Sequence, residues 1–314
     1  MQLKKSASLF AATAATLAIA TLGVHAADSA TPTATTAANK GNPVRLLCDY
    51  NHSAANTTPS VNATSIAKWS CSENTRSLVA NGLPDHEVGI FPNRNNPPTI
   101  SAQNVNVSMP LAPVMTAVAT RRDSPRVGPG FILNGVKMDP STAGTCDDSG
   151  ANCTMARGSG AWSIEAMGQK TFNFGTDSSN AHVQPGGAYH YHGIPEGFVA
   201  KLGTGTSMAL IGWAADGFPI YARYGFKSPM DASSGTKVVT GSYRLKPTPS
   251  AGRPAASAYP MGTFTQDYEY AAGSGDLDEC NGRVGVTPEF PGGTYHYYAT
   301  DTYPYLQRCV KGKL

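Results

Sequence analysis

Residues 185–192 read Pro-Gly-Gly-Ala-Tyr-His-Tyr-His, and this stretch constrains the chain more than any other. A Pro-Gly-Gly turn leads straight into alternating tyrosine and histidine. A strand sends successive side chains to opposite faces, so His190 and His192 share one face and Tyr189 and Tyr191 the other. Two residues along a strand span about 6.5–7 Å. That is near enough for two imidazoles to lean onto one ion through metal–nitrogen bonds of about 2.0–2.1 Å. Residues 291–298, Pro-Gly-Gly-Thr-Tyr-His-Tyr-Tyr, repeat the pattern, with His296 at the position of His190 and Tyr298 at that of His192.

A second pair of echoes precedes these strands. Residues 131–138 carry Asn134-Gly135 between apolar runs, and residues 213–221 carry Asp216-Gly217 in the same setting. Both read as hairpins whose two central residues take positive φ. The order is therefore hairpin, histidine strand, hairpin, histidine strand, which implies a diverged internal duplication within one domain. Turn residues are plentiful, with 33 glycines and 23 prolines, and 14 tyrosines favour strands. The expected fold is mostly β: a single β-rich domain with short helices. Residues 196–202 read as one such helix, and residues 88–91 and 105–109 as strands.

Residues 1–26 have the form of an export signal, with Lys4 and Lys5 ahead of an apolar run at 9–22 and small residues at the cleavage positions of Val24-His25-Ala26. No later stretch approaches a membrane span. Residues 27–44, rich in Ala and Thr, read as a disordered lead-in. Loss of residues 1–26 removes two of the 24 basic residues and none of the 21 acidic ones, leaving a balance of +1. So even a charge argues against nucleic acid as partner. The remaining six cysteines form an even set, which in an exported chain reads as disulfides. Short loops close at least entropic cost, so the preferred pairing joins neighbours: Cys48–Cys71, Cys146–Cys153 and Cys280–Cys309. Export places the protein in the periplasm or outside the cell.

The candidate ligands are His190 and His192, with His182 as third and His296 next; His86, beside Asp85 in a turn, is a weaker candidate. Imidazole suits both copper and zinc, and the sequence does not choose between them. Tyr298 reads as an outer hydrogen-bond partner of the site, as a weak ligand, or as packing. Serine-hydrolase, P-loop, dinucleotide and H-E-x-x-H signatures are absent from the sequence. The chain thus reads as an exported protein serving metal storage, delivery or tolerance. The alternatives are a secreted metalloenzyme, either a copper oxidoreductase or a zinc hydrolase, and a metal-free structural module whose histidines are hydrogen-bonded in the core.

Several longer motifs carry a resemblance. Tyr189-His190-Tyr191-His192-Gly193, residues 216–221 and residues 275–283 together resemble the YHYH domain family, as do residues 81–86 and 134–136. The resemblance covers residues 78–311, taken here as a YHYH domain running from 78 to 314. The Cys-containing segment 45–77 lies outside its strongest part. It implies an exported protein that binds metal through the namesake histidines, here His190 and His192. It carries over no catalytic residue.

Overall fold

The computed structural model describes residues 48–124 and 128–314. The export signal at 1–26 and the lead-in at 27–44 lie outside the described residues. In chain order the strands are β1 (Asn51–Asn56), β2 (Ala63–Cys71), β3 (Thr75–Ala80), β4 (Val105–Pro110), β5 (Met115–Arg121), β6 (Gly130–Ile132) and β7 (Lys137–Met138). There follow β8 (Thr145–Cys146), β9 (Cys153–Thr154), β10 (Trp162–Ser163), β11 (Ala181–Val183), β12 (Tyr189–Tyr191), β13 (Ala209–Ala214) and β14 (Pro219–Ala222). The last are β15 (Tyr224–Phe226), β16 (Thr236–Val238), β17 (Tyr243–Leu245), β18 (Tyr268–Tyr270), β19 (Gly282–Gly285), β20 (Thr294–Ala299) and β21 (Cys309–Gly312). An α-helix, α1 (Glu196–Leu202), is ended by Gly203 in the left-handed conformation. The fold is mostly β, as its turn-rich composition implies.

An eight-stranded sheet forms the centre, in the order β11-β12-β7-β6-β13-β14-β20-β19. Its two halves have one topology. In the first, hairpin β6–β7 is followed by β12, parallel to β7, with β11 antiparallel outside it. In the second, hairpin β13–β14 is followed by β20, parallel to β14, with β19 antiparallel outside it. The halves meet where β6 pairs antiparallel with β13. This is the internal duplication that the echoes imply.

Both hairpins turn differently from the expectation, because only the glycine takes positive φ: Gly135 at 84° and Gly217 at 88°. Gly135 N–H donates to Ile132 O at 2.8 Å, and Ile132 N–H to Val136 O at 3.0 Å. Gly217 N–H and Ala214 N–H make the same two bonds, to Ala214 O and Phe218 O, both at 2.9 Å. Each loop therefore has three residues and closes on a left-handed glycine. Asn134 Oδ1 and Asp216 Oδ1 accept the N–H two residues on, from Val136 and Phe218, which stabilises this form.

A second, four-stranded sheet, β1-β2-β3-β4, docks on those hairpin loops. It runs through the Cys-containing segment and past residue 78. Its inward face carries Trp69 and Leu78, buried in the main core with Leu133 and Trp213. Trp69 Nε1–H donates to Leu133 O at 2.9 Å, and the Arg76 guanidinium lies 3.4 Å from the centre of the Trp213 ring. A smaller core gathers Cys146, Trp162, Ile164, Phe174 and Phe264. The three disulfides join Cys48 to Cys71, Cys146 to Cys153 and Cys280 to Cys309.

Residues 88–91 are not a strand. Side chains take their backbone groups instead: Gly89 N–H donates to Asp177 Oδ2, the Ser60 hydroxyl donates to Gly89 O, and Phe91 N–H donates to Ser60 Oγ. No helix among the described residues is long and apolar enough to cross a membrane.

Candidate metal centre

β11 and β12 form a hairpin with His182 directly opposite His190. Its turn needs two glycines, Gly186 at φ 97° and Gly187 at φ 86°; a Cβ on Gly187 would collide with Ser101. His192 lies one residue past β12, but its N–H still donates to Asn180 O at 2.8 Å and holds it on the ladder. Strand alternation then puts His190 and His192 on one face, with His182 facing them from the neighbouring strand.

The three rings converge, each pair of ring centres 4.7 Å apart. One nitrogen from each ring lies within 4.8 Å of the other two. His190 and His192 are 1% and 2% exposed, and His182 is half-buried. His182 Nδ1 donates to Phe174 O at 2.8 Å, and His190 Nδ1 to Ala188 O at 3.1 Å. Carbonyls only accept, so both protons sit on Nδ1 and both Nε2 lone pairs are left for the cluster. His192 Nε2 stands 3.0 Å from His182 Nε2. Its Nδ1 has no hydrogen-bond partner in good geometry, although the Asp139 backbone lies close enough to favour the protonated ring.

Burial holds all three imidazoles below the usual histidine range, His190 and His192 well below it. Mutual repulsion and the Lys137 ammonium push His190 and His192 further down. The rings are therefore neutral at neutral pH, the state in which imidazole binds a transition metal. Lys137 donates to Asp139 Oδ2 and to Gln184 Oε1, both at 3.2 Å, and Gln184 Nε2 donates to Asp139 Oδ2 at 2.8 Å.

The tyrosine face of β12 is equally committed. Tyr189 OH donates to Asp177 Oδ2 at 2.7 Å. Tyr191 OH accepts from Asn134 Nδ2 at 3.0 Å and stands 2.6 Å from His86 Nε2. His86 Nδ1 donates to Glu87 O at 2.8 Å, so its Nε2 accepts the Tyr191 proton. His86 thus lies on the tyrosine side of β12 and does not join the cluster.

Neither does His296. Four strands stand between β12 and β20 in the sheet. His296 Nδ1 donates to Thr294 O at 3.0 Å, and its Nε2 lies 2.9 Å from Tyr298 OH. Tyr298, read from sequence as an outer partner of the metal group, serves His296 instead. The sequence reading also overlooked Asp177 and Asn180, which anchor Tyr189 and the His192 N–H. The signal was there: Asp-x-x-Asn recurs at 278–281, just before β19, the strand that pairs with the second histidine strand.

Residues 106–312 match the model of the family described as YHYH protein. The chain belongs to the YHYH family. The matched span holds both halves of the central sheet and all three clustered histidines. It begins within β4, so residues 81–86, with His86, precede it. No curated protein and no solved structure matches the chain.

Proposed function

We propose that this YHYH protein is an exported transition-metal-binding protein that holds copper or zinc at His182, His190 and His192 for storage, delivery or tolerance. One observation carries the reading: three imidazole nitrogens converge, two with their protons already given to carbonyls on the other side of the ring. Buried polar atoms are ordinarily satisfied. The Nε2 lone pairs of His182 and His190 are both turned into the cluster, and a cation satisfies the two at once. The backbone carbonyls behind the rings act as the outer partners that fix a metal-binding tautomer. Three disulfides suit an oxidising compartment outside the cytosol.

The test is metal content by mass spectrometry on protein purified from its native compartment, beside a His190→Ala/His192→Ala variant. One copper or zinc per chain, lost in the variant, is the expected result. No metal in the native protein and none taken up on titration would refute the reading.

The ligand count favours a second reading, a metalloenzyme. Three histidines leave a fourth position on a tetrahedral ion, as in catalytic zinc sites. Azide added to the cobalt(II)-loaded protein separates the two. A changed visible spectrum means an exchangeable position and supports catalysis; an unchanged one supports storage or delivery.

A further inference from the structure

The two halves of the central sheet can be superposed residue by residue through their hydrogen bonds. In the first, Asn180 N–H donates to Asp177 O at 3.1 Å; in the second, Asn281 N–H donates to Asp278 O at 3.0 Å. Asn180 and Asn281 share a left-handed φ, 56° and 60°. Tyr189 OH donates to Asp177 Oδ2 at 2.7 Å, and Tyr295 OH to Asp278 Oδ2 at 2.9 Å. His192 N–H donates to Asn180 O at 2.8 Å, and Tyr298 N–H to Asn281 O at 2.9 Å. His182 faces His190 across the first hairpin; Arg283 faces His296 across the second. The positions of His182, His190 and His192 are therefore those of Arg283, His296 and Tyr298.

The second set is closed upon itself. His296 gives its Nδ1 proton to Thr294 O, so its Nε2 accepts from Tyr298 OH at 2.9 Å. The Arg283 guanidinium lies 5.4 Å from the centre of the Tyr298 ring, and its Nη2 is 3.4 Å from Tyr298 OH and donates to Phe226 O at 2.8 Å. A permanent cation belonging to the protein thus stands beside the imidazole. The one lone pair left by His296 already has a donor. Gly225 admits this packing, since a Cβ there would strike both Tyr298 Oη and Arg283 Nη2. In the first half the partner of His182 Nε2 is instead another imidazole nitrogen, His192 Nε2 at 3.0 Å, which can exchange its proton for a metal ion, and no arginine takes part.

We infer that Arg283, His296 and Tyr298 form a closed counterpart of the three-histidine site. The chain then takes a single transition-metal ion, and the second half takes another only when positions 283 and 298 are changed to histidine. The inference rests on the metal reading above. It adds the number of sites and assigns Arg283 and Tyr298 as the groups that shut the second.

The experiment is titration with cobalt(II) and zinc(II) of four folded proteins, their fold checked by thermal melting. They are the native chain, His296→Ala, Arg283→His/Tyr298→His, and that double variant carrying His296→Ala. One equivalent is expected for the native chain and two for the double variant, falling back to one when His296 is also removed. His296→Ala alone should leave metal affinity within about threefold, because a distant site acts independently. A folded double variant that binds one equivalent overturns the inference. So does a native chain that binds two and loses one with His296→Ala. That single variant decides the question even where the double variant does not fold. Zero equivalents in the native chain would instead refute the metal reading itself.

Discussion

The Nε2 atoms of His182 and His192 face each other at 3.0 Å. Two imidazoles on one tetrahedral ion at about 2.0–2.1 Å keep their nitrogens about 3.3 Å apart. That pair already stands close to the spacing an ion would set. Removal of any one of His182, His190 or His192 as alanine is expected to weaken metal binding by more than the roughly 10–100-fold that loss of an outer partner costs. Competition titration against a chelator measures it. His86→Ala, on the far side of β12, should leave affinity near the native value.

Tyr191→Phe tests the opposite face of the same strand. It removes the proton that His86 Nε2 accepts and the oxygen to which Asn134 Nδ2 donates. Leaving buried polar groups unpaired costs about 1–3 kcal/mol. Urea denaturation should show that loss. Metal stoichiometry should not change, because the phenol lies on the face of β12 opposite His190 and His192.

Acid should destabilise the metal-free protein. Burial pulls His296 from an ordinary value of 6.5 down to about 4. Between those values the unfolded chain binds the proton and the folded chain does not. Stability is therefore full above pH 6.5, falls as pH drops from 6.5 towards 4, and levels off below the folded value. One such group contributes about 3 kcal/mol over that window. His190 and His192, also depressed, act in the same direction. Denaturation midpoints at pH 7.5 and pH 4.5 measure the slope. His296→Gln should reduce it.

Gly135 and Gly217 each hold a hairpin loop against the outer sheet. Both have positive φ, and a Cβ would meet Ala80 at the first and the Pro110 carbonyl at the second. Each Gly→Ala change should cost more than about 2 kcal/mol, combining a left-handed backbone with a clash. Gly203→Ala is the control. Its φ is 64° but nothing lies within 4 Å, so only the backbone cost of about 1–2 kcal/mol remains. Thermal denaturation of the three variants separates the two contributions.

Replacing Cys280 and Cys309 together by alanine opens a loop with a sequence separation of 29. The expected loss is about 3–4 kcal/mol by the chain-entropy argument. It should be visible as a lower urea midpoint, with the three-histidine group and its metal stoichiometry retained.

Much of this molecule is determined by the sequence on its own, wherever the physics is local. Alternation along a strand has period two, so the pairing of His190 with His192 on one face follows from covalent geometry. Short loops favour neighbouring cysteines, and the three disulfides join neighbours. Repeated turn and strand motifs announce the two halves of the sheet, and the long motifs place the chain in its family. Local signals also have limits. Asn-Gly and Asp-Gly identified both hairpins but not the three-residue form of their loops. Residues 88–91 are apolar enough for a strand, yet the Ser60 and Asp177 side chains take their backbone bonds.

Only the tertiary structure decided which histidine stands third. His182, close to His190 along the chain, already ranks ahead of His296 in the sequence, but nearness along the chain does not by itself make a contact. The register of the β11–β12 hairpin brings His182 opposite His190, while the order of the sheet places four strands between β12 and β20. Strand order and register depend on ladder hydrogen bonds and on burial over the whole sheet. A linear pattern contains neither, so the same Tyr-His-Tyr string forms an open cluster in one half and a closed pair in the other.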